Sequence, residues 1–144
     1  MAFNIPGILG RNRQARQNMV EDTVAGAHQE GERRFQDKYH DTRETLVNSI
    51  GKTKAEETAQ TIGGMAYENV TNDRMTDAVS KAASKVEELK YARANSKWDE
   101  EVERRPGRGE VRGAKKDVKA LKKAGVNVAR DLNSAWDKSI LKGD

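Results

Sequence analysis

Between Pro6 and Pro106 the chain runs for ninety-nine residues without a proline. Proline is the residue that most surely breaks a helix, so helix is open along this whole length. Strand is not favoured in its place, because the alternation of aromatic and β-branched residues that marks a half-buried strand is missing. The sequence therefore predicts an all-α fold: a long N-terminal helix plus a bundle of shorter helices, extended rather than compact. No internal repeat stands out.

Apolar spacing supplies the elements. Val24, Phe35 and Leu46 are eleven residues apart, and so are His28, Tyr39 and Ile50. Eleven residues make nearly three helical turns, so the six side chains form one nearly straight stripe on a helix predicted over 12–50. Gly26 and Gly31 each cost about 1 kcal/mol there relative to alanine, which suggests a bend or a close approach. Gly51 is a plausible C-cap. A second helix is predicted over 53–69 with the seam Ala55, Ala59, Ile62, Ala66 and Val70, interrupted at Gly63 and Gly64. Thr71, Asn72 and Asp73 read as an N-cap opening a third helix to about Lys97. Its seam is Met75, Val79, Ala82, Val86, Leu89 and Arg93, in steps of four and three. Pro106, Gly107, Gly109 and Gly113 predict a loop over 103–113. A last helix is expected over 114–141, packed through Val118, Leu121, Gly125, Val128, Leu132, Ala135 and Ile140, with a possible break at Gly125. The chain divides into an arm and long helix (1–51), a helical hairpin (52–102), and a basic loop with the C-terminal helix (103–144), all in one structural unit.

The apolar content is low for such a fold. Ile, Leu, Val and Phe number 24 of 144 residues, while charged residues are 35%. That apolar share lies below the roughly 20% at which a core becomes hard to build. Because the charges nearly cancel, the composition still differs from that of a disordered chain. Helices of this kind are expected to bury part of their apolar surface against another subunit or ligand. The stripe residues Val24, Phe35, Tyr39, Leu46 and Ile50 are the expected subunit interface. Trp98 and Trp136 are expected as the main packing anchors.

Charge is unevenly placed. Residues 1–20 carry +3 and residues 101–144 carry +5, whereas 21–50 carry −3 and 51–100 carry −1. From Arg104 to Lys123 there are nine bases and two acids, Glu110 and Asp117, a net +7 in a chain of net +4. On a helix Lys115, Lys116, Lys119, Lys122 and Lys123 share an arc of about 120°. Val118 and Leu121 fall outside it, so one face packs while the next presents ammonium groups. Ahead of the arc lie Arg104, Arg105, Arg108 and Arg112 among glycines that let backbone approach a phosphate. Lysine contributes point charge and arginine grips phosphate oxygens in pairs. These nine residues, with the N-terminal patch Arg11, Arg13 and Arg16, are the candidate nucleic-acid-binding set. The competing explanation is a solvated helix face. The near absence of compensating acids at i,i+4 weighs against it.

Catalytic signals are lacking. Cysteine is absent, and His28 and His40 are twelve residues apart, so neither thiolate chemistry nor a helical zinc pair is expected. His28 sits on the apolar stripe and is expected to pack. No phosphate-binding loop or dinucleotide fingerprint occurs. Neither an enzyme nor a cofactor is expected, and no small-molecule substrate. Phe3, Ile5, Ile8 and Leu9 form a short apolar hook ahead of the N-terminal bases, too short and wrongly flanked for a secretory signal. No run approaches a membrane span, and the apolar faces lack the large aromatics of surface-seeking helices, so a membrane partner is not expected.

Taken together, the size, near-total helix, apolar-then-basic N-terminus and scarcity of catalytic residues resemble the coat proteins of archaeal filamentous viruses of the rudivirus, lipothrixvirus and tristromavirus type. The resemblance covers general architecture over most of the chain and rests on no motif. It implies a virion coat or nucleocapsid subunit that assembles in the host cytoplasm. Two copies, or two paralogues, would clasp double-stranded DNA without reading its sequence. The chain is more charged and less apolar than such a coat is expected to be. The alternatives are an internal or ejected structural protein of a tailed-phage virion, and a hydrophilic helical protein that folds on a partner surface.

Overall fold

The computed structural model describes residues 12–142, with side chains through residue 132. Arg11 and the hook residues Phe3, Ile5, Ile8 and Leu9 lie outside the described residues. So do the side chains of Ala135, Trp136 and Ile140. Three helices make up the fold: α1 (Arg13–Ile50), α2 (Lys52–Asn95) and α3 (Arg108–Lys142). Among the described residues there is no strand. At 1.5 Å per residue the helices are about 57, 66 and 52 Å long.

The first helix starts where the sequence places it and is unbroken. Asn12 caps it, its side-chain oxygen accepting a hydrogen bond from the Ala15 backbone N–H at 2.7 Å. It ends at Gly51, whose N–H donates to the Val47 carbonyl at 3.2 Å. Gly51 has φ of +86°, a conformation that favours glycine. This single residue is the whole connection, and α2 folds back along α1.

Two predicted boundaries are corrected. In place of the helical hairpin expected over 52–102, one continuous helix, Lys52–Asn95, runs through both Gly63-Gly64 and the Thr71-Asn72-Asp73 cap signal. Thr71 does not cap. Its hydroxyl donates to the Tyr67 carbonyl one turn back at 2.7 Å, and the residue is fully buried against α1. The bundle is therefore built of long helices, where shorter ones were expected. The second correction is the loop, which ends at Gly107. Helix α3 begins at Arg108, carries Gly109 and Gly113 within it, and does not break at Gly125.

Small residues form the α1–α2 seam. Ala27, Ala55 and Ala59 are buried, and so are Gly31 and Gly63. The ring of Phe35 lies over Gly63, and Tyr67 and Thr71 lie over Gly31. Ile62, expected on this seam, is 37% exposed, because the contact row steps by four through Gly63. Tyr67 also hydrogen-bonds His28 Nδ1 at 2.5 Å, which makes His28 a packed, partnered residue as the stripe implied. Burial, then the charge of Glu32, pushes the Tyr67 phenol up, so the hydroxyl remains protonated.

Helix α3 lies antiparallel to α2 and parallel to α1. Its Leu121, Ala124 and Val128 are buried, as are Met75, Val86 and Leu89 of α2. Ala27, Met75 and Ala124 meet where the three helices converge, with Val20 and Val24 packed against them. The stripe of α1 is thus covered to a large extent inside the chain. Val24, Phe35, Tyr39 and Leu46 are half-buried, and Ile50, at the hairpin tip, is 41% exposed. Phe35 and Tyr39 stack with ring centroids 5.9 Å apart. The stripe was expected to be covered by another subunit or a ligand. Instead α2 of the same chain supplies most of the surface it needs.

The α2–α3 connection holds the other correction. Trp98 is no anchor: it is 80% exposed. The anchors there are Pro106, which is buried and whose carbonyl accepts from Arg93 at 2.9 Å, and the Arg104–Glu110 pair. Nearby the Tyr91 hydroxyl donates to Asp99 Oδ2 at 2.6 Å. That bond, helped by the Glu101 backbone N–H, holds the Asp99 carboxyl below its usual value, and it raises Tyr91. A depressed carboxylate pKa adds stability that is present above the unfolded value and is lost as pH falls through the folded one. Tyr91→Phe should therefore move the Asp99 titration, followed by carboxyl NMR, upward toward the ordinary range. The melting temperature near neutral pH should barely change, because the bond lies at the exposed surface.

Candidate nucleic-acid interface

The inward face of α3 runs through Glu110, Gly113, Asp117, Leu121, Ala124 and Val128. Gly113 and these apolar residues are buried, as is Glu110, and Asp117 is half-buried. At 100° per residue the opposite arc of about 120° holds nine residues between 108 and 130. They are Arg108, Arg112, Lys115, Lys116, Lys119, Lys122, Lys123, Val126 and Arg130. Eight of the nine are cationic, none is acidic, and all nine are exposed. The arc is about 33 Å long at 1.5 Å per residue.

Both acids of this segment turn inward and are taken up by arginines. Glu110, 6% exposed, receives both terminal nitrogens of Arg104, one at 2.7 Å. This bond raises the Arg104 pKa further. Asp117 accepts from Arg16 Nε of α1 at 2.8 Å, and Arg16 also reaches the Gly113 carbonyl at 3.4 Å. These pairs pin α3 to the connection and to α1, and they remove the negative charge that would screen the outward arc. Of the candidate binding residues, Arg16 and Arg104 are thus structural ion-pair partners. Arg105, Arg108, Arg112 and the five lysines make no ion pair among the described residues. Arg130 approaches Asp131 at 4.0 Å with both side chains more than 70% exposed, a contact of little energetic weight.

The rest of the molecule is different. On α1 and α2, Arg43 pairs with Glu56, Arg74 with Glu30, and Lys81, Lys85 and Lys90 pair with acids one turn away. Arg33, Arg34, Lys38, Lys52 and Lys54 make no ion pair among the described residues, but acids nearly balance bases along both helices, so net positive charge is concentrated on α3. It extends to a cleft where the first turns of α1 and α3 lie side by side, lined by Asn12, Arg13, Arg16, Gly109, Arg112, Gly113 and Lys116. Both helices begin at this end, so their dipoles add positive potential to that of the side chains. Arg13 of the N-terminal patch is thereby brought beside Arg112 and Lys116, a juxtaposition that nothing in the sequence indicates.

Sequence reasoning found the five lysines and missed Arg130. The missing signal was phase: Arg130 follows Arg112 by eighteen residues, five full turns. Among the described residues no group of His, Asp or Glu is placed to hold a metal ion. No described helix is long and apolar enough to cross a membrane. No protein-family model, curated protein or solved structure matches the chain.

Proposed function

We propose that the protein is a structural nucleic-acid-packaging subunit that binds the phosphate backbone of a duplex through the outward face of α3, without reading sequence. One observation carries this reading: an exposed arc, 33 Å long, with eight cations, no acid, and both local acids turned inward onto arginines. A solvated helix face normally carries both signs, as α2 does here. The arc also lacks the Asn and Gln side chains that pair with base edges. The biological setting that fits this chemistry best is a virion coat or nucleocapsid, with a second copy or a paralogue as neighbour on double-stranded DNA.

The test is equilibrium binding to two unrelated duplexes of equal length across a salt series. If five to eight cations reach phosphates, log K should fall against log salt with a slope of about −4.5 to −7. Affinities for the two sequences should agree within about fivefold. A slope near zero, or no binding in low salt, would return α3 to the status of a solvated face.

A further inference from the structure

Two features of the arc go beyond general backbone affinity. First, its lysines form two flanks. Lys115 and Lys122 lie on one edge, and Lys116 and Lys123 on the other, about 100° apart around the helix. On a helix about 10–12 Å across, rows so disposed are roughly 9 Å apart at the cylinder surface, and extended lysines splay wider. The major groove of B-form DNA is about 12 Å wide and admits a helix, whereas the minor groove is about 6 Å wide. Second, the one residue of the arc that is not cationic is Val126, which is 67% exposed. A lone exposed valine is common on a protein surface, but within this strip it is the one side chain with nothing to offer a phosphate. The floor of the major groove, by contrast, offers an apolar partner in the thymine methyl group.

From these two observations, and resting on the packaging function above, we infer that α3 seats its outward face in the major groove of B-form duplex DNA. Lys115 and Lys122 contact phosphates of one strand, and Lys116 and Lys123 those of the other. Lys119 and Val126 face the groove floor. A straight rod stays inside a curving groove only over its middle, so Arg108, Arg112 and Arg130 meet the backbones where α3 leaves it. The ligand class is then duplex DNA rather than duplex RNA, whose major groove is too deep and narrow to accept this face.

The experiment compares the full-length protein on a 24-base-pair DNA duplex, the same sequence as duplex RNA, and the same DNA with every thymine replaced by uracil. DNA should bind at least about tenfold more tightly than RNA. Removing the thymine methyls should weaken wild-type binding about fourfold, the worth of one buried methyl. Val126→Ser should erase that difference without altering the salt slope. A major-groove dye, methyl green, should compete, and the minor-groove binder netropsin should not. Lys115→Gln/Lys122→Gln and Lys116→Gln/Lys123→Gln should weaken binding to similar extents, since each pair serves one strand. Equal binding to DNA and RNA, or indifference to the thymine methyls together with competition by netropsin alone, would overturn the groove seat while leaving backbone binding in place. Absence of binding to any duplex would overturn both.

Discussion

Gly63→Val should destabilise the α1–α2 hairpin, and Gly31→Val should act in the same way. A β-carbon at position 63 would lie 2.9 Å from the Phe35 ring and 3.2 Å from the Phe35 carbonyl oxygen. The ring can rotate away, but the carbonyl belongs to a helix and cannot. At position 31 the new atom would meet the Thr71 hydroxyl at 2.7 Å and the Tyr67 ring at 3.2 Å. Thr71 is fully buried and hydrogen-bonded, so it has nowhere to go. Overpacking typically costs 1–3 kcal/mol per site, and valine in place of glycine regains only a few tenths of a kcal/mol of helix propensity. The double variant should lose about 2–6 kcal/mol, a large share of a total stability of order 5–15 kcal/mol. Gly26 provides the control with opposite sign. A β-carbon there meets nothing within 4 Å, so Gly26→Ala should stabilise by about 1 kcal/mol through helix propensity alone. Chemical denaturation followed by circular dichroism measures all four variants. A Gly63→Val protein as stable as wild type would mean that the α1–α2 seam is not the close contact described.

These glycines also show how far the sequence could be read. The eleven-residue spacing of Val24, Phe35 and Leu46 gave a continuous α1, and of the two glycines suspected of a bend or a close approach to a partner, Gly31 is approached by α2 of the same chain while Gly26 faces open space. What covers the stripe was not legible, because a seam of alanine and glycine carries almost no hydropathy signal. The sequence therefore assigned the burial of Phe35 and Tyr39 to another subunit, whereas Phe35 packs over Gly63 of α2 and Tyr39 stacks on Phe35. One consequence is that replacing both with serine would disturb the fold as well as any assembly. The cap signal at 71–73 failed for a tertiary reason. Thr71 faces Gly31 across the seam, and its hydroxyl is satisfied one turn back, so packing overrides a weak local preference. The loop over 103–113 was drawn too long for an electrostatic reason. Glu110 sits in the first turn of α3, where a carboxylate favours the helix start, and Arg104 holds it there. Moving that start back to Arg108 is what brings Arg108 and Arg112 into phase with the lysines. The candidate site was thus partly legible from lysine spacing, but its length and its lack of acids depended on a helix boundary and two ion pairs.

Neutralising the arc should have the largest effect on binding and almost none on folding. Lys115, Lys116 and Lys122 are exposed and make no ion pair among the described residues, so Lys115→Gln/Lys116→Gln/Lys122→Gln should melt within a few degrees of wild type. On duplex DNA each phosphate contact contributes about 0.9 to the salt slope, so the triple variant should flatten it by about 2.7. Near 0.1 M salt that corresponds to an affinity loss of several hundredfold. The informative contrast is Arg104→Gln, which removes a formal charge from the same segment. Arg104 is occupied by Glu110, so its loss should leave the salt slope nearly unchanged and instead lower stability by stranding a buried carboxylate. Titrating both variants in one salt series separates outward charge from inward charge. If Arg104→Gln flattens the slope as much as a lysine does, the inward pairing does not decide which cations meet the duplex. If the triple lysine variant retains the wild-type slope, α3 is not the binding face.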